Sequence, residues 1–112
     1  MKIKLTIILL FFLTSIFCQN NTDNDLFEAN NLYKKEKYIE SELNYRKSIS
    51  KDDDKTLGMH NLGNNHYQMG DFDEASQRFF QSQKSSKSKK NKHSSLHNMG
   101  NSFMKKKDYA KA

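Results

Sequence analysis

Two hydrophobic patterns follow one another along this chain. Leu5 to Phe17 is almost wholly apolar, with Lys2 and Lys4 before it and Gln19-Asn-Asn21 after it. Beyond Cys18 the apolar positions are sparse and spaced as helix faces are. Tyr38 and Tyr45, like Phe72 and Phe79, stand seven residues apart. Leu32, Leu43, Ile49, Leu62, Leu96, Met99 and Phe103 complete an apolar stripe. These spacings predict helices at 24–35, 39–50, 55–69, 72–84 and 93–106, and a further one starting near Tyr109. The fold class expected is all-α.

The pattern repeats. Ala29-Asn-Asn-Leu-Tyr-Lys-Lys-Glu-Lys-Tyr38 aligns with Gly63-Asn-Asn-His-Tyr-Gln-Met-Gly-Asp-Phe72 and with Gly100-Asn-Ser-Phe-Met-Lys-Lys-Lys-Asp-Tyr109. The aromatics that close the three segments lie 34 and then 37 residues apart. Each segment reads as the end of a helix A, a tight turn and the start of a helix B packed back on it. Gly63 and Gly100 remove the Cβ where the two helices meet, and the small Ser41, Ala75 and Ala112 allow the same close approach from helix B. Gly70 suits the positive φ of a helix C-terminus, where Glu36 and Lys107 stand in the other units. Asp71 and Asp108 precede the next helix and can cap it.

A 34-residue period with an aromatic nine residues after a small residue is the tetratricopeptide pattern. The second unit carries it best, with Leu62, Gly63, Gly70, Phe72, Ala75 and Phe79 in place. The expected architecture is a helix-turn-helix solenoid of about two and a half repeats, at 22–55, 56–89 and 93–112. The chain stops at the small residue of the third helix B, which predicts a longer protein lacking its C-terminal helices here. Such solenoids usually end in a capping helix.

Composition changes the picture in two ways. Leu, Ile, Val and Phe make up 13 of the 94 residues after Cys18, with no Pro and no Trp. That is thin for a globular core and tolerable where each repeat leans on its neighbour. The serines at 41, 48 and 82, where alanine is usual, lower the expected stability. Charge is also uneven: acids outnumber bases over 19–83, whereas 84–112 holds nine lysines and one acid. Five of those lysines fall in residues 84–92, which contain no apolar residue and read as an exposed loop.

The apolar run of 13 residues is too short to span a bilayer and fits a secretory signal peptide. Cleavage after Cys18 would divide the chain into a signal peptide at 1–18, a flexible segment at 19–25 and a repeat domain at 26–112. Lipidation of Cys18, or retention as an uncleaved anchor, are the alternatives. Export places the chain in the periplasm or outside the cell.

Residues 26–112 resemble tetratricopeptide repeat proteins. More narrowly they resemble the secreted BatC-type repeat proteins of the Bacteroides aerotolerance operons. Asn31-Leu-Tyr-Lys-Lys-Glu-Lys-Tyr38, Asn44-Tyr-Arg-Lys-Ser-Ile49, His60-Asn-Leu-Gly-Asn64 and Asn98-Met-Gly-Asn-Ser-Phe-Met-Lys-Lys-Lys-Asp-Tyr109 carry that likeness. The resemblance implies an extracytoplasmic protein of Bacteroidota with an aerotolerance or stress-related assembly role. It would work beside membrane proteins with von Willebrand factor A domains and a MoxR-type ATPase.

Helix A of each repeat would line a concave groove. The groove positions are Asn30, Tyr33 and Lys34; His60, Asn64, Tyr67 and Gln68; and His97, Asn101, Met104 and Lys105. An asparagine recurs at 30, 64 and 101. In peptide-binding relatives of the wider family, a similar asparagine contacts ligand backbone. A side-chain amide donates and accepts, so it reads a peptide without demanding a sequence. The function expected is therefore protein or peptide binding by a non-enzymatic scaffold of the cell envelope. The alternative is an adaptor for a membrane or other anionic surface, acting through Lys84, Lys87, Lys89, Lys90 and Lys92. His93 and His97 have helical spacing but no acidic or cysteine neighbour to complete a metal site. His66 reads as a packing residue. Asp52-Asp-Asp54 reads as a solvated turn, since it lacks the glycine and terminal acid of a calcium loop. No nucleophile motif or phosphate-binding loop is present, and no cofactor, metal or nucleic-acid partner is expected.

Overall fold

In a computed structural model of the chain, residues 24–51 and 54–111 are described. The signal peptide expected at 1–18, Cys18, Asp52, Asp53 and Ala112 lie outside them. The fold is all-α. The helices are α1 (Asn24–Lys34), α2 (Tyr38–Lys51), α3 (Thr56–Gln68), α4 (Phe72–Ser85) and α5 (Lys89–Lys111). Each packs on the next, and α1 touches α3 as α3 touches α5. Asn24 and Asp25, placed in the flexible segment at 19–25 by the domain division and in the helix at 24–35 by the apolar spacing, form the first turn of α1.

Two turns are built alike. Glu36 at φ 60° and Gly70 at φ 79° end α1 and α3. Behind them Lys37 donates to the Leu32 carbonyl at 2.9 Å and Asp71 to that of His66 at 2.9 Å. Glu36 donates to Tyr33 at 3.0 Å and Gly70 to Tyr67 at 3.1 Å. This paired closure satisfies carbonyls that a helix end leaves open. Glycine adopts the left-handed conformation freely, whereas a residue with a Cβ is strained there. The first turn forms because folding α2 back on α1 buries Ala29 and Tyr45 against Leu62, with Leu26, Tyr33 and Ile49 packed around them.

The close helix contacts use serine as well as glycine and alanine. Ser41 Oγ donates to the Ala29 carbonyl at 2.8 Å, and Ser82 Oγ to the Thr56 carbonyl at 2.9 Å. Both serines are buried and hydrogen-bonded, so their hydroxyls do not carry the cost of an unmet polar group. Between α3 and α4 the approach is tighter still. A Cβ on Gly63 would lie 2.7 Å from the Phe79 ring.

The third unit departs from expectation at both ends. The loop expected at 84–92 shrinks to residues 86–88, because α4 runs to Ser85 and α5 begins at Lys89. Ser88 Oγ accepts the N–H of Asn91 at 3.4 Å, which makes it the cap of α5. Lysine is a good helix former, so an apolar-free run can still be helix. At the other end, α5 continues through the expected break at 107–108. Lys107 occupies the Gly70 position but remains helical, and no separate helix starts at Tyr109. Straight continuation keeps the Tyr109 ring 5.3 Å from that of Phe72, and Lys106 Nζ 2.6 Å from Asp73. Among the described residues no helix therefore lies over Gly100, and a Cβ there would meet no atom within 4 Å.

Candidate functional site

Two adjoining recesses open along the face shared by α1, α3 and α5. The first, of about 270 Å³, is lined by Asn30, Tyr33, Lys34, Tyr45, Asn61 and Asn64. The second, of about 190 Å³, is lined by Asn64, Tyr67, Gln68, Phe79, Asn98 and Asn101. Asn64 belongs to both. Seven residues expected in a groove thus come together: Asn30, Tyr33, Lys34, Asn64, Tyr67, Gln68 and Asn101.

Side-chain amides join one unit to the next. Asn30 Oδ1 accepts from the Tyr45 hydroxyl at 2.7 Å and from Asn61 Nδ2 at 3.1 Å. Asn64 Oδ1 accepts from Asn98 Nδ2 at 3.5 Å. The amide donors Asn61 and Asn98 each sit on the following odd-numbered helix, three residues before that helix's own repeated asparagine. Asn61 and Asn98 were not among the expected groove residues. Their signal was available in the sequence, since they are 37 residues apart and aligned. This ladder holds the first two repeated asparagines, Asn30 and Asn64, by their oxygens. The Nδ2 groups of Asn30 and Asn64 have no hydrogen-bond partner among the described residues.

The aromatic walls are fixed by edge-on packing. Tyr33 and Tyr38 lie 5.6 Å apart between ring centres, and Tyr67 and Phe72 5.3 Å. Burial pushes the Tyr45 phenol up to about 12 and raises that of Tyr33, so both stay neutral hydroxyls at ordinary pH. Lys34 brings a positive charge to the rim of the first recess.

The other expected residues are elsewhere. His60 is half-buried, with Nδ1 3.0 Å from Ser95 Oγ and its ring edge-on to Phe79 at 5.4 Å. It lines a separate small cavity of about 70 Å³ with Thr56, Leu57 and Ser82. Four residues amount to about 40° beyond a full helical turn, enough to carry His60 from the recess face to the joint with α5. Burial lowers its pKa. His97, Met104 and Lys105 are exposed on α5 and line neither recess. Asn101 Nδ2 and His97 Nδ1 are 3.4 Å apart.

The five lysines do not form one loop. Lys84 ends α4 with its ammonium 5.6 Å from the Phe80 ring centre. Lys87 lies in the link, and Lys89, Lys90 and Lys92 are exposed at the start of α5.

His66 is buried where α2, α3 and α4 meet. Its ring nitrogens face Glu42 at 3.7 Å and Asp71 at 3.6 Å, and neither makes a hydrogen bond. Burial lowers its pKa, and the two carboxylates act against that. Among the described residues, no group of three or more His, Cys, Asp or Glu could hold a metal ion. No described helix is long and apolar enough to cross a membrane. The chemistry on the recessed face is that of amides, phenols and one rim lysine, suited to hydrogen-bonding an extended polar ligand. Compared with known proteins, the chain matches no family model and no curated sequence.

Proposed function

We propose that the chain is an exported, non-enzymatic scaffold of the tetratricopeptide type that binds an extended peptide along the α1–α3–α5 face. The observation that carries this reading is the pair of recesses sharing Asn64, with Asn30 and Asn64 held by their oxygens and their amide donors unpaired among the described residues. Two unpaired amide donors in adjoining recesses match the carbonyls of an extended backbone. The 34-residue spacing and the matched turns at Glu36 and Gly70 support tetratricopeptide repeats. The signal-like N-terminus and the resemblance to aerotolerance-operon proteins support assembly work in the cell envelope. Membrane proteins with von Willebrand factor A domains are candidate partners.

A second reading, contact with an anionic surface, is favoured by one feature. Lys89, Lys90 and Lys92 crowd the first turn of α5, where the helix dipole already places positive charge. Peptides selected from a displayed random library against the chain separate the two. Asn30→Ala with Asn64→Ala should abolish capture by the selected peptides, and capture by the parent chain should persist in about 0.5 M salt. Circular dichroism of the double variant must remain helical. If capture survives the double variant but is lost when Lys84, Lys87, Lys89, Lys90 and Lys92 become Gln, the recess reading is wrong.

A further inference from the structure

α3 and α5 carry one apolar stripe at equivalent positions. On α3 it is Met59, Leu62, Gly63 and His66; on α5 it is Leu96, Met99, Gly100 and Phe103. The first is covered from both sides, by α1 and α2 at Leu62 and by α4 at Gly63. Leu62 and His66 are buried, and the Phe79 ring fills the space over Gly63. On the second, Met99 is partly buried and nothing described seals the rest. Leu96 is 42% exposed, Phe103 is 54% exposed, and the space over Gly100 is open. The chain itself therefore shows what fits such a stripe. It is an antiparallel helix with aromatics seven residues apart, a small residue between them and an acidic first turn, as Phe72, Asp73, Glu74, Ala75 and Phe79 supply in α4.

Charge selects the occupant further. Lys107 and Lys111 continue the α5 stripe at four-residue steps beyond Phe103, and Lys92 precedes Leu96 by four. An α4-like helix laid antiparallel brings its acidic N-terminal turn to Lys107 and Lys111. The neighbouring Lys106 already pairs with Asp73 of α4 at 2.6 Å. A second copy docking α5 against α5 would oppose helices that each carry seven lysines and one acid.

We propose that the Leu96–Met99–Gly100–Phe103 face docks an amphipathic helix of a partner protein with an acidic first turn, one aromatic of which seats over Gly100. The face is distinct from the recesses, so the proposal stands apart from the peptide-binding reading. A labelled, end-capped peptide of residues 71–85 is the probe, titrated against the full chain by fluorescence anisotropy. Saturable binding is expected. Gly100→Ala should weaken it about fivefold or more, because overpacking a close contact is costly. A peptide with Phe79→Ala should bind more weakly but equally to the parent and to Gly100→Ala, since the ring that would clash is gone. Phe103→Glu should abolish binding, whereas Asn30→Ala with Asn64→Ala should leave it unchanged. Equal affinity of the original peptide for the parent and Gly100→Ala would overturn the proposal. So would self-association of the chain that Phe103→Glu abolishes, or displacement of the peptide by phosphatidylglycerol vesicles but not by phosphatidylcholine vesicles.

Discussion

α3 and α5 share a pattern of residues and differ in what lies against them. The stripe on α3 is sealed between α1 and α2 on one side and α4 on the other, with Leu62 1% exposed, whereas the matching stripe on α5 is open at Leu96, Gly100 and Phe103. Periodicity therefore states which face of a helix is apolar, and only a second helix makes that face a core. The difference can be read as energy. Phe79→Ala empties the space over Gly63 and should cost about 3–5 kcal/mol. Phe103→Ala removes a ring of similar size from solvent and should change stability by no more than about 0.5 kcal/mol. Urea denaturation followed by circular dichroism measures both. Equal losses would mean that the α5 face is covered in solution.

The glycines sharpen the comparison because the same substitution should have opposite signs. Gly63→Ala drives a Cβ to 2.7 Å from the Phe79 ring, which sits inside a packed joint. The expected cost is about 1–3 kcal/mol. Gly100→Ala meets open space in mid-helix and should stabilise by about 0.5–1 kcal/mol, the ordinary advantage of alanine over glycine. Both shifts are readable as changes in urea midpoint at constant slope. Destabilisation by Gly100→Ala would show a further helix packed over Gly100, on the side of α5 away from α4.

Acid is a weaker lever on the same joint. The folded state lowers the pKa of His60 and His66 from the ordinary 6.5, in both cases through burial. Around His66, Glu42 of α2 and Asp71 and Glu74 at the start of α4 oppose that shift, and Arg46 of α2 adds to it. Below 6.5 the unfolded chain takes up protons that the folded chain resists. Stability should thus be full above that pH and fall as pH drops through it, levelling only once the folded-state pKa is passed. Urea midpoints at pH 7.5 and 5.5 test the slope. His66→Phe, which copies Phe103 into α3, should flatten it. An unchanged slope in His66→Phe would move the acid sensitivity elsewhere.

The four helices that pair up were legible in the sequence to within a residue or two. Their apolar spacing, Gly70 and Asp71 each point the same way. α5 was legible only in its middle. Its lysine-rich start has no apolar period to betray a helix, and the signal that mattered was Ser88 three residues before Asn91. Its far end was read as a turn by analogy with Gly70, although Lys107 has no glycine freedom and the Phe72–Tyr109 contact rewards going straight. The recesses were legible through the recurring asparagine, because equivalent helix positions share a face. His60 was misplaced because a face read from periodicity is wide, and the joint with α5 claims its edge. The Asn61 and Asn98 rungs depend on how neighbouring odd-numbered helices register, which no single helix pattern states.

The first turns of α4 and α5 also differ, since they carry opposite charge. α4 opens with Asp73 and Glu74 under the Asp71 cap, complementing the positive end of its dipole. α5 opens with Lys89, Lys90 and Lys92 and no acid. Each misplaced charge costs about 0.3–1 kcal/mol at low ionic strength. Lys89→Glu with Lys90→Glu should therefore stabilise the chain by about 1 kcal/mol in low salt, and the gain should shrink in about 0.5 M salt as the charges are screened. Asp73→Lys with Glu74→Lys should do the reverse at α4, with a further loss from the broken Lys106 and Arg78 pairs. If the lysine reversal leaves stability unchanged in low salt, the start of α5 carries no electrostatic strain. An anionic surface would then have nothing to relieve there, and the second functional reading would lose the observation that favours it.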